Sequence, residues 1–277
     1  MPLASIPSPG HAAWHLGPLA IRAYALCVVA GLVAAVALAS RRYRRSGGKR
    51  GTILDVAAWA VPFGLAGALA HVILHRLGEA GTAGIAAIGV PGAVALGALG
   101  AWIACRRART GLGPVAGAVA PALAFGLAIA GLGNWWAQQF YGPPSTWWWA
   151  VQIAPTHRVP GYENYATFQP AFLYQSVWEV TLGFAVIWAA RRFALSGERT
   201  FLLLAAGYAA GGVWVDLLRV GPVPHALGVR SGVLGDIVVF VLATAGMYLT
   251  RPGRRPPARA QAKRAVVEDS SGDVMSV

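Results

Sequence analysis

The sequence predicts an all-α polytopic membrane protein with about seven transmembrane helices, its N-terminus outside and its C-terminus cytoplasmic. Three observations carry that expectation. Of 277 residues, 56% are hydrophobic and only 12% are charged, about half the charged share of an ordinary soluble domain. The apolar residues gather into runs close to the ~20 residues a helix needs to cross a bilayer. Finally, 18 of the 23 Lys and Arg residues fall in alternate connections between those runs, which is the asymmetry that marks a cytoplasmic side.

The elements follow in order. The opening "MPLASIPSPGHAAWHLGPLA" holds four prolines and no basic leader. It does not read as a signal peptide, and it is expected to lie along the membrane surface. The first span, 21–40, precedes "RRYRRSGGKR", with six basic residues. The second, 54–75, opens at Asp55, where a carboxylate suits a helix N-terminus. The third, 83–105, is rich in Gly and Ala, is interrupted by Pro91, and is followed by "RRAR". The fourth, 114–134, ends in "GLGNWW".

A long external connection, 135–169, then carries three consecutive tryptophans, "TWWWAV". Indole rings favour the headgroup level, so this loop reads either as an interfacial belt or as a lid over a lipid-accessible cavity. The fifth span, 170–190, is followed by Arg191, Arg192 and Arg199; the sixth is 200–219 and the seventh 232–250. Residues 1–250 thus form one transmembrane domain. The tail 251–277 is basic, polar and broken by proline, and is expected to be a disordered cytoplasmic segment.

The charge of +13 is explained by this topology, with anionic headgroups as further partners of the basic loops. It does not indicate nucleic acid. The 35 glycines fit helices that pack closely in lipid. Cys27 and Cys105 both lie in apolar segments and read as small buried hydrophobes rather than a disulfide.

Ionisable groups at membrane depth are expensive and mark functional hypotheses. Glu179 lies mid-span in the fifth helix, expected to be protonated or hydrogen-bonded inside the bundle. Asp216 and Arg219 stand three apart near the outer end of the sixth, so they share a face and can pair. That pair reads either as structural or as part of a site. Asp236 opens the seventh span and reads as a cap. His71 and His75 have the i, i+4 spacing of metal ligands, yet no third ligand accompanies them. No metal and no cofactor are expected. No phosphate-binding glycine loop or nucleophile elbow is present.

Several stretches together resemble the prolipoprotein diacylglyceryl transferase family, in its high-GC Gram-positive branch. "SIPSPG" through "HLGPLAIRAYALCVVAG" is similar to the family's start, and "GTILDVAAWAVPFGLAGALAHVI" to its second helix. "GNWWAQQFYG" stands at the signature, "QPAFLYQSVWE" at a later tyrosine motif, and "GYAAGGVWVDLLRV" with "HALGVR" at the last. The resemblance implies a multi-pass plasma-membrane transferase without a cofactor. Its substrates would be phosphatidylglycerol, or another anionic phospholipid, and the signal segment of a prolipoprotein. Its reaction would move diacylglycerol to the lipobox cysteine thiol in lipoprotein biogenesis.

Matched by motif, Tyr24, Asn134, Tyr174 and Asp216 take the catalytic positions, and Arg219 and Arg230 the lipid phosphate. Elsewhere the chain departs from the pattern. Ala68, Gly131 and Gly212 stand where the family has arginine. Gln139 and Gln175 replace glutamates, Gln169 replaces histidine, Ala137 replaces asparagine, and Pro91 stands where this branch has tryptophan. Six of these exchanges remove an ionisable group. Two function classes follow: a diverged transferase, or a catalytically silent relative that binds anionic phospholipid or a lipoprotein signal segment. A transporter would be expected to show repeated halves, and none is visible.

Overall fold

The computed structural model describes residues 5–16, 19–77, 89–221, 225–226 and 229–250. The chain forms two short strands, β1 (Ala13–Leu16) and β2 (Leu19–Arg22), then helices α1 (Ala23–Arg45), α2 (Thr52–Leu77), α3 (Gly89–Arg107) and α4 (Leu112–Leu132). A single turn, α5 (Asn134–Ala137), leads into β3 (Val151–Gln152) and β4 (Thr167–Phe168). Helices α6 (Ala171–Arg192) and α7 (Gly197–Leu218), strands β5 (His225–Ala226) and β6 (Val229–Arg230), and α8 (Ser231–Leu249) complete it.

Among the described residues, six helices are long and apolar enough to cross a membrane: α1, α2, α4 continued by α5, α6, α7 and α8. The protein is therefore all-α and polytopic. The expected third span begins outside the described residues; its described part, α3, runs through Pro91 without a break. Pro62 and Pro121 likewise sit inside α2 and α4, as neighbouring helices permit in membrane bundles.

Small residues set the packing. A side-chain carbon at Gly31 of α1 would strike the Gly126 carbonyl of α4. One at Gly100 of α3 would reach the Trp59 carbonyl of α2 at 2.6 Å. These helix pairs touch backbone to backbone, which dispersion rewards where no hydrophobic effect drives helices together.

The three described basic connections share one end of the bundle. There the Tyr43 hydroxyl bonds Thr110 Oγ1 at 2.8 Å, and Arg107 lies 4.6 Å from the centre of the Trp59 ring. Ser196 caps α7 there, its hydroxyl accepting from the Arg199 N–H.

The opposite end is built from irregular backbone. Strands β1 and β2 pair antiparallel with Ala13 opposite Arg22, and β3 and β4 pair with Val151 opposite Phe168. Ile6 bridges Val151 in parallel, its N–H donating to the Ala150 carbonyl at 2.8 Å. The start of the chain is thus stitched to the 135–169 connection. That connection has a core of its own: Tyr141, Val151, Ile153, Phe168 and Phe172 pack together.

Candidate functional site

The end of α7 positions the first group. Three residues on a helix nearly complete one turn, so Asp216 and Arg219 point the same way. Arg219 Nη1 donates to Asp216 Oδ1 at 2.7 Å. Arg230, just ahead of α8, donates Nη1 to the Asp216 carbonyl at 2.6 Å and to the Arg219 carbonyl at 2.9 Å. It thereby satisfies carbonyls that a helix terminus leaves unpaired, and its charge suits the negative end of the helix dipole.

The other face of Arg219 is taken by an aromatic ring. Its guanidinium carbon lies 3.7 Å from the centre of Phe140, within cation–π range. Phe140 holds φ at 59°, in the left-handed region that aromatic residues rarely occupy. The Arg219 guanidinium stays charged in this setting, since arginine does not lose its proton in proteins. Arg219 and Arg230 line an open cleft of about 720 Å³ together with Pro143, Val159, Tyr162 and Leu217 among others. Asp216, Tyr174, Asn134 and Tyr24 are not part of its lining.

Tyr174, in the first turn of α6, belongs to a second group. Its hydroxyl accepts from Trp149 Nε1 at 2.9 Å, and its ring stacks on Trp214 of α7 with centroids 6.4 Å apart and planes at 22°. Trp214 and Asp216 are two residues apart on α7, so they lie at similar depth and point to different faces of the helix. Tyr24 and Asn134 form a third. A side-chain carbon at Gly133 would lie 3.1 Å from the Tyr24 ring. Asn134 donates Nδ2 to the Gly131 carbonyl at 2.9 Å, and its Oδ1 is buried with no partner among the described residues.

At Gly131, Gly212 and Gln175, which the sequence resemblance marks as exchanged charged positions, neighbours fill the surroundings. A side-chain carbon at Gly131 would lie 2.7 Å from Ser176 Oγ. At Gly212 it would strike the Asp236 carboxylate of α8. Reciprocally, Asp216 of α7 packs on Gly232 of α8, so two carboxylates cross this interface one turn apart. Gln175 donates Nε2 to Glu179 Oε1 at 2.9 Å, leaving Oε2 buried and unpartnered among the described residues.

Sequence reasoning took Asp236 for a cap, whereas it stands in the second turn of α8 against Gly212. Phe140 and Gln138 are not singled out by the sequence, and Trp149 reads there only as one of three interfacial tryptophans. The buried Gln138 accepts from the Ala154 N–H at 2.7 Å and ties the connection to its own start. No signal in the sequence separates these three from other interfacial residues. No group of three or more His, Cys, Asp or Glu able to hold a metal occurs among the described residues, and the His71 and His75 side chains lie outside them.

Chemically, two arginines at the mouth of a cleft offer an anion site. Asp216 offers a carboxylate already engaged by one of them. Comparison with known proteins adds to this. The sequence model of the prolipoprotein diacylglyceryl transferase family matches residues 11–249. A phosphatidylglycerol–prolipoprotein diacylglyceryl transferase of Streptomyces avermitilis is 41% identical over 99% of this chain and 81% of its own length. The second such protein of Streptomyces coelicolor is 42% identical, covering 94% of this chain and 86% of its own. One from Corynebacterium efficiens is 37% identical over 99% of this chain and 93% of its own.

Proposed function

The chain belongs to the prolipoprotein diacylglyceryl transferase family, and from that premise we propose that it moves diacylglycerol from phosphatidylglycerol to a prolipoprotein cysteine. The observation that best supports this is the convergence of Arg219 and Arg230 on the end of α7 beside a cleft. In the step, the thiol sulfur attacks the glycerol carbon that carries the phosphate. A C–S bond forms, the C–O bond to phosphate breaks, and glycerol phosphate leaves. The thiol proton passes to a carboxylate, for which Asp216, bonded to Arg219, is the group at hand.

Negative charge grows on the leaving phosphate, so fixed cations there lower the barrier. Arg219 and Arg230 take that role, while Asn134, Tyr24 and Tyr174 orient the lipid. Residues 1–250 act as one unit in the plasma membrane. The 135–169 connection faces outward, and the basic connections and the tail 251–277 face the cytoplasm.

The test is lipidation of a reporter prolipoprotein by the purified chain in vesicles containing phosphatidylglycerol. A thioether-linked product that disappears in Arg219→Ala/Arg230→Ala is expected. Bound phosphatidylglycerol with no product above background would overturn the transferase assignment in favour of a silent lipid-binding relative.

A further inference from the structure

The hydroxyl of Tyr174 has its hydrogen-bond direction fixed by its surroundings. An indole N–H can only donate, so the 2.9 Å contact from Trp149 Nε1 makes the phenolic oxygen an acceptor there. Its own proton must then go to an acceptor elsewhere, and none exists among the described residues. The ring cannot turn freely to find one. Trp214 stacks on it, Trp178 lies edge-on to Trp214 at 6.3 Å and 72°, and Trp178 Nε1 is anchored on the Gly207 carbonyl at 2.9 Å. Tyr174 is half-buried, so a ligand can reach it. With one side of the oxygen taken by Trp149, the hydroxyl donates on the side away from that indole.

Depth indicates which oxygen. Trp214 precedes Arg219, the residue that caps α7, by five residues, which at 1.5 Å and about 100° per residue places it about 7.5 Å further from the cleft end and about 140° around the helix. In a glycerophospholipid the acyl-ester carbonyls lie on the tail side of the phosphate, across the three glycerol carbons. We propose that Tyr174 donates to an acyl-ester carbonyl of the phospholipid whose phosphate lies at Arg219 and Arg230, and that Trp149 is the positioning residue that aims it. This rests on the phosphate placement above. It makes the site selective for ester-linked over ether-linked lipid.

The experiment compares two probes on the purified full chain: diacyl phosphatidylglycerol and its dialkyl-ether analogue with the same headgroup. The wild-type protein is expected to bind the ester lipid about fivefold more tightly, the scale of one net hydrogen bond. Tyr174→Phe should abolish the preference without weakening the ether lipid. Trp149→Phe, which keeps an aromatic ring, should reduce the preference. Equal binding of both lipids by the wild-type chain overturns the proposal without any variant being needed, and so does an undiminished preference in Tyr174→Phe. Arg219→Ala/Arg230→Ala should weaken both lipids alike. If it changes neither, the phosphate placement itself fails and takes this proposal with it.

Discussion

Arg219 reaches back one turn to hold the Asp216 carboxylate at 2.7 Å, so the chain's own acid occupies the cation that an incoming phosphate needs. Binding and transfer therefore place opposite demands on Asp216. Removing its charge frees the guanidinium but also removes the carboxylate available to a thiol proton. Asp216→Asn is expected to bind phosphatidylglycerol about fivefold more tightly, the scale of a partly exposed ion pair, while transferring less diacylglycerol. Lipid titration and reporter lipidation, run on one preparation, separate the two. Unchanged lipid affinity would show that Asp216 does not compete.

Transfer should be slow. The resemblance implies arginine at three positions that are Ala68, Gly131 and Gly212 here, and losing even one transition-state donor costs about 100- to 1,000-fold. The chain is expected to lipidate a reporter at least about 1,000-fold more slowly than a relative with those arginines. Full complementation of a strain depleted of its own transferase would refute this.

Gly131→Arg should not restore the rate alone, because residues that act as a unit are not additive. It should also destabilise the protein, since its first side-chain carbon meets Ser176 Oγ at 2.7 Å and overpacking costs about 1–3 kcal/mol. Adding Ser176→Ala removes that oxygen and should recover part of the loss. Thermal unfolding of the single and double variants in detergent checks both statements.

Tyr141 holds the outer connection together. Its buried hydroxyl donates to the His157 carbonyl at 2.8 Å and accepts from the Val159 N–H at 2.9 Å. Tyr141→Phe leaves both groups without their partner, a cost of about 1–3 kcal/mol, and should speed amide exchange around 155–162. Burial raises the Tyr141 pKa above its ordinary value, and only the neutral phenol donates. The stabilisation should therefore be complete below about pH 10 and be lost as pH rises through the higher folded-state value. Tyr141→Phe should lack that alkaline transition.

Orientation is tested in a background without Cys27 and Cys105. Lys49→Cys and Thr146→Cys, both at exposed positions, should respond oppositely to a membrane-impermeant thiol reagent added to intact cells. Thr146→Cys should label and Lys49→Cys should not. The reverse result would invert the topology.

Helices and the ion pair were legible in the sequence because each rests on a local rule. Length and hydropathy define spans such as 170–190, which the structure gives as Ala171–Arg192, and three-residue spacing brings Asp216 to Arg219. The contacts that shape the site were not legible because they join distant parts of the chain. Nothing local places Phe140 over Arg219, Trp149 on Tyr174, or Ile6 beside Val151. Asp236 looked like a cap because its position near a helix start has that local meaning. Only the crossing of α7 and α8 reveals that it faces Gly212.

That crossing has a consequence for adding charge to the site. The carboxylate of Asp236 fills the space that a side chain at 212 would enter, and Ser176 Oγ does the same at 131. Both are the ends of side chains that can turn aside, but an added cation meets different chemistry at the two places. At 212 it meets a carboxylate with which it can pair. At 131 it meets a hydroxyl already bonded to the Phe172 carbonyl. Position 212 is therefore the easier of the two at which to install a cation.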